Sequence, residues 1–199
     1  MKNEVRQPRQ ERSIEKKNKI IEAGYQLFSE VGYYGTNTAE IAKRAGVSTG
    51  IVYGYFQDKR DILISVLEIY INKVFAPYFK LFDKISTPVD FKTLLTKIID
   101  QTIKTHKTNR KIHEVLHSLA CSDEAVNAQF IELEDQITVK IADKLAFLGF
   151  EYENSLEKIH LAMDIIQSFS HEYVFDKHDY LDYIVMKDIV VNTLVKLFE

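Results

Sequence analysis

The sequence predicts an all-α protein, and three observations carry that expectation. Apolar residues recur at three- and four-residue spacing along nearly all of the 199 residues, while strand-like alternation is scarce. There are only three prolines and seven glycines. Five of those glycines fall between residues 32 and 54, so turns crowd the front of the chain and long helices are free to fill the back.

Each element follows in order from its own signals. Residues 1–12 are polar and charged and read as a mobile arm. A first helix is expected over about 14–31, with Ile20, Gly24, Leu27, Phe28 and Val31 on one face and Gly32 ending it. Asn37 with Glu40 three residues on opens a short second helix, Thr38–Ala45, as a capping box. Gly46 turns the chain, and Ser48 caps a third short helix to about Phe56. Asp58 and Asp61 open a long fourth helix into the low 80s, bent or broken near Pro77. Thr87-Pro88 is expected to start a fifth, ending near Lys104. A sixth spans about 109–120, and Ser122 caps a seventh that stops at Gly149. Asn154 with Glu157 opens an eighth, and Asp179 with Asp182 a ninth.

Bulk properties narrow the class. Hydrophobic content of 46% and charged content of 28% are ordinary for a globular domain. The single cysteine, Cys121, excludes an intrachain disulfide framework and fits a reducing cytoplasm. No secretory h-region and no run of about 18 apolar residues occur, so neither export nor a membrane partner is expected. Charge is divided along the chain. Residues 1–60 carry eleven Lys and Arg against seven Asp and Glu, a net of +4, and the remainder is −7. A basic front on an acidic body suits a polyanion met by the front alone.

Two short helices joined by Ala45-Gly46-Val47-Ser48 after a longer packing helix form a helix-turn-helix pattern, with Ile41, Ala42, Val47, Val52 and Phe56 spaced as its small core. On the other face of the third helix stand Thr49, Gly50, Tyr53 and Gly54. Small residues let a helix backbone approach a groove floor, a threonine offers hydroxyl or methyl to base edges, and Tyr53 and Tyr55 reach towards phosphate oxygens. Lys59 and Arg60 sit where the helix macrodipole opposes a cation, at about 0.3–1 kcal/mol each. At that helix start they would add to a phosphate site.

The stretch TAEIAKRAGVSTGIVYGYFQDKRDIL, with IIEAGYQLFSEVGYYGTN before it, resembles the DNA-binding segment of the TetR/AcrR family of transcriptional regulators. The likeness covers about residues 14–63. It rests on the joint occurrence of the Gly-Val-Ser turn, the VYGYF pattern and the lysine after it. It implies a third helix in the major groove, with Thr49, Gly50 and Tyr53 facing bases or neighbouring phosphates. It also implies that Thr38 holds a phosphate beside Thr36 or Asn37, and that Tyr55 and Lys59 grip the backbone. Ser48, at the head of the reading helix, completes the expected DNA-binding set. Two departures matter: Gly54 replaces a larger group in many members, and Ala39 offers no hydrogen bond. Readout is therefore expected to lean on DNA shape. Arg6, Arg9 and Arg12 of the arm read either as extra phosphate or minor-groove contacts or as a solvated tail.

The acidic back, residues 59–199, is expected to bind an effector and dimerise, and residues 1–58 to bind DNA. The last two helices are apolar on more than one side, which suits an isologous contact with a second copy. A helix-turn-helix reader also needs two heads about 34–36 Å apart on a palindromic double-stranded operator. His113, His117 and Cys121 recur every four residues on one face of the sixth helix. They read as a polar seam in a ligand cavity or, equally, as surface; with no acidic or second thiol ligand tied to them, neither metal nor cofactor is expected. The expected effector pocket comprises Tyr70, Val74, His113, Leu116, His117, Cys121, Phe169 and Tyr173.

The function that results is a ligand-responsive DNA-binding regulator of the cytoplasm, a repressor released from its operator by a small hydrophobic or aromatic effector. The alternatives are a constitutive DNA-binding regulator without an effector, or an all-helical enzyme or carrier. No phosphate-binding glycine loop, paired-carboxylate signature or nucleophile motif supports the enzyme.

Overall fold

In the computed structural model the backbone is described for residues 7–85 and 87–199, and side chains for these apart from 7–10, 71–76, 79, 82 and 83. Every regular element among the described residues is an α-helix. The chain divides into two compact units: residues 1–72 with 110–127, and residues 73–109 with 128–199.

The first unit is built on α1 (Gln7–Val31), α2 (Thr38–Ala45), α3 (Thr49–Tyr53), the first half of α4 (Lys59–Asp83) and α6 (Arg110–Ala120). α1 packs on α2 and α6, and α2 on α3. Ile20, Phe28, Ile41, Val52, Ile62 and Leu116 are fully buried and form its core. Gly24 sets the spacing of α1 and α4: a Cβ there would lie 2.7 Å from Ile62 Cγ2. α1 starts earlier than the sequence suggested, because residues 7–13 are strong helix formers apart from Pro8 and Ser13, and Pro8 falls in the first turn where its missing N–H costs nothing. Val31, expected on the buried face, is exposed.

The second unit holds the rest of α4, α5 (Phe91–Thr108), most of α7 (Glu124–Phe147), α8 (Ser155–Phe175) and α9 (Tyr183–Leu197). α5 packs on both α8 and α9. Ile99, Ile159, Val191 and Leu194 are central to its core.

Several helix signals resolve differently from expectation. α4 continues through Pro77. The Thr87-Pro88 peptide is cis, and α5 begins later, where Asp90 caps the Thr93 N–H at 3.0 Å. Asp123, not Ser122, caps α7 through the N–H groups of Ala125 and Val126. Asn154 adopts the left-handed conformation (φ 57°) and makes no side-chain cap, so the expected box with Glu157 does not form. α3 ends at Tyr53 in a tighter turn that still carries Phe56 into the core.

Candidate nucleic-acid interface

α2 and α3 are too short to be stable alone, and the first unit holds them from several directions. Asn37 Oδ1 accepts the Glu40 N–H at 2.9 Å, and Glu40 Oε2 accepts the Asn37 N–H at 3.3 Å, closing the capping box. Gly46, at φ 69°, ends α2 in the left-handed region, where a side chain would be strained. The Val47 N–H then bonds the Ala42 carbonyl at 3.0 Å. Ser48 Oγ accepts the Ile51 N–H at the head of α3. Arg44 donates two hydrogen bonds of 2.8 Å to the Glu30 carboxylate, locking α2 to α1 and lowering the Glu30 pKa.

With Ile41, Ala42, Val52 and Phe56 buried beneath, the opposite side of α3 is free. Gly50 is exposed, and a Cβ built there would meet only Ser48 Oγ at 3.9 Å. Tyr53 is 57% exposed beside it, and Thr49 is half-buried at the first turn. Tyr55 is half-buried, with its hydroxyl 2.9 Å from Ser13 Oγ on α1. Asn37 and Ser48 are exposed and Thr38 is half-buried. Thr36 differs from expectation: it is buried, and its hydroxyl donates to the Gly32 carbonyl at 2.8 Å. Its hydroxyl closes the α1–α2 turn.

The two cations at the start of α4 have internal partners that the sequence did not reveal. Lys59 Nζ donates to the carbonyls of Tyr33 and Thr36 at 2.7 and 2.8 Å and lies 4.1 Å from the Tyr33 ring centroid. Burial lowers its pKa. One ammonium proton is left for an outside acceptor. Arg60, expected to join a phosphate site, instead forms a two-point ion pair with Asp123, with Nη2 2.7 Å from Oδ1 and Nε bonding Oδ2. The guanidinium and the α7 N–H groups together hold the Asp123 carboxyl down at about 2. Arg6 lies outside the described residues, as does the side chain of Arg9; Arg12 is exposed on α1.

In the second unit a cavity of about 100 Å³ opens between α4, α5, α7, α8 and α9. Its wall is mostly aliphatic and aromatic, including Ile98, Ile141, Ala162, Met163 and Phe198, and among the described residues no charged side chain lines it. Of the eight residues expected to form a pocket, the seven with described side chains do not line this cavity. Tyr70, His113 and Leu116 are buried in the first unit, where the Tyr70 hydroxyl lies 2.9 Å from His113 Nδ1. His117 and Cys121 are exposed, although the His117 ring rests 4.1 Å from that of His113. Phe169 is core and Tyr173 is half-buried against Tyr183, with Lys177 over its ring. The side chain of Val74 lies outside the described residues. Helical periodicity marks which faces are apolar, but not which of them closes imperfectly on its neighbours.

Residues 20–66 match the family model described as bacterial regulatory proteins of the tetR family. Over this segment the chain is similar to the TetR family of regulators. An HTH-type transcriptional regulator of Aromatoleum sp. (strain CIB), HbdR, is 52% identical over 54 residues, which is 27% of this chain and 24% of that protein. The matched segment thus spans about a quarter of that relative. Across the whole chain the likeness is one of fold. A structure described as a TetR-family transcriptional regulator from Mesorhizobium loti superposes with a TM-score of 0.74 at 18% identity, covering 94% of this chain and 96% of that one. A transcriptional regulator from Saccharomonospora viridis, solved with choline, gives 0.66 at 16% identity over 90% and 95% of the two chains. These relatives are regulators of transcription rather than enzymes. No helix among the described residues is long and apolar enough to cross a membrane.

Proposed function

We propose that the chain is a homodimeric regulator that binds a palindromic double-stranded DNA operator through α3 and is released from it by a small apolar effector held in the second unit. The observation that carries the DNA reading is the free outer face of α3. Thr49, Gly50 and Tyr53 stand on a helix whose other side is fully engaged, and Asn37, Thr38 and Tyr55 flank it with polar groups suited to phosphate. The third proton of Lys59 Nζ adds one charged phosphate contact while its other two hold the Tyr33–Thr36 turn in register. Gly54 and Ala39 leave few groups for base edges, so shape and backbone contacts carry much of the specificity.

Dimerisation is supported by what α9 leaves uncovered. Ile184 is 78% exposed, Ile189 60% and Val185 54%, in a helix whose Tyr183, Val191 and Leu194 are already buried. Leu161 on α8 is exposed as well. Covering each such side chain is worth roughly 1.5–3 kcal/mol, the scale on which two-helix faces pair about a two-fold axis. The effector reading is supported by the cavity, whose described wall is mostly apolar and carries no carboxylate to pair with a cation such as the choline of the Saccharomonospora regulator.

The experiment is selection of bound duplexes from a random pool, followed by titration of the enriched sequence at several salt concentrations. A two-fold symmetric site bound by two protomers supports the reading. Recovery of no sequence above background would sink it.

A further inference from the structure

His106 and His171 lie far apart in the sequence and in no shared motif, and folding brings them together within the second unit. Each sits near the last turn of its helix, on α5 and α8, which pack on each other. Their rings meet edge-on with centroids 6.3 Å apart, and a ligating nitrogen of one comes within 4.8 Å of a ligating nitrogen of the other. Phe175 lies against both rings, with centroids at 6.2 Å from His106 and 4.6 Å from His171, and restricts their tilt. Each imidazole is also oriented from behind. His106 Nδ1 lies 2.9 Å from the Thr102 carbonyl, which can only accept, so Nδ1 carries the proton and Nε2 the lone pair. His171 Nε2 lies 3.5 Å from Asp176 Oδ2, which draws the proton to Nε2 and leaves Nδ1 as the ligating nitrogen. A carbonyl or carboxylate behind the ring is the usual outer partner of a metal-bound histidine, because it fixes the tautomer and makes the facing nitrogen more basic. His106 is buried, and burial lowers its pKa, which keeps the ring in the neutral form that ligates. His171 is half-buried, so the pair is approached from its side.

The geometry points to a binding site for a divalent transition-metal ion of the zinc kind, held by the imidazoles of His106 and His171 and completed by water. Two nitrogens bound to one ion at about 2.0–2.1 Å stand roughly 3–4 Å apart, so closing the site asks a shift of less than about 1 Å from each ring. The donor set selects the class of ion. Imidazole suits Zn²⁺, Ni²⁺, Co²⁺ and Cu²⁺, whereas Mg²⁺ takes oxygen ligands and holds its own water. Asp176, behind His171, offsets part of the charge the ion brings. Bound there, the ion ties the end of α5 to the end of α8. Neither histidine lines the apolar cavity, and the metal site stands independently of the effector reading.

The test uses the full chain without DNA, stripped with a chelator and dialysed. Zn²⁺ is titrated by calorimetry and by the shift in melting temperature, with Mg²⁺ at the same concentration as control. One Zn²⁺ per chain is expected, with a raised melting temperature, and no effect of Mg²⁺. Co²⁺ bound in its place should show d–d absorption without the thiolate charge-transfer band that Cys121 would add. His171→Ala changes a half-exposed position and should fold, binding Zn²⁺ at least about tenfold more weakly. His106→Gln should lose binding to the same degree. Asp176→Asn should weaken binding roughly tenfold, as loss of an outer partner does, and leave the metal-free melting temperature unchanged. His160→Ala, at an exposed histidine elsewhere on α8, should bind as the parent does. If His106→Gln fails to fold, His171→Ala and Asp176→Asn still decide. No Zn²⁺ binding, binding that survives His171→Ala unchanged, a thiolate band with Co²⁺, or an equal response to Mg²⁺ overturns the proposal.

Discussion

Lys59 and Arg60 begin a helix at its positive pole, where the macrodipole disfavours cations. Both are held by acceptors from elsewhere in the first unit: two carbonyls of the α1–α2 turn for Lys59 and the α7 cap Asp123 for Arg60. Their presence was legible in the sequence as a basic helix start, but their partners were not, because Tyr33, Thr36 and Asp123 are brought to them only by folding. Lys59→Ala should therefore have two effects. Chemical denaturation should show a loss of about 1.5–3 kcal/mol at most, as for a charged hydrogen-bonding group removed from partly buried carbonyls. DNA titration should show the salt dependence reduced by about one counterion per head. An unchanged salt slope would leave Lys59 with its structural role alone. Asp123 gives a pH prediction. Its folded pKa, about 2, lies below the ordinary 3.8, so its contribution is fully present above about pH 4 and is lost as pH falls towards 2. Asp123→Asn keeps an acceptor for the α7 N–H groups and removes the charge. The difference in melting temperature between parent and variant should accordingly be largest near pH 5 and shrink towards pH 2; a constant difference would mean that the ion pair contributes nothing.

At the level of elements, the signals that resolved as read are those in which a few neighbouring residues close a loop on themselves. The Asn37–Glu40 box, the Gly46 turn and the Ser48 cap all appear at the residues that announced them, and α2 matches its expected limits at both ends. The signals that failed had a competitor one or two residues away. Asp90 took the α5 cap expected of Thr87, and Asp123 took that of Ser122, since a carboxylate is the stronger acceptor for backbone N–H groups. Gly24 tests the contact between α1 and α4. Alanine has the better helix propensity by about 1 kcal/mol, but its Cβ would press into the branched methyl of the buried Ile62. Overpacking of this kind costs typically 1–3 kcal/mol. Gly24→Ala should thus lower the melting temperature; a rise would show that α1 can move away from α4 at no cost.

Across the whole molecule, the proposed dimer turns on the exposed face of α9. Ile184→Glu together with Ile189→Glu should shift sedimentation from dimer to monomer and weaken operator binding, while the helical circular dichroism signal stays intact. A dimer that persists would move the interface elsewhere. The sequence by itself determined the helical class, the helix-turn-helix and the polar outer face of α3, because each depends on periodicity and on contacts within about four residues. Only the tertiary structure decided three further matters. Thr36 closes a turn, His113 is buried against Tyr70, and the cavity is lined by α5 and α8 residues such as Ile98 and Met163 that nothing in the sequence singles out. A residue's spacing tells which way it faces on its own helix, but whether that face meets a tight neighbour, a void or solvent depends on helices distant in the chain.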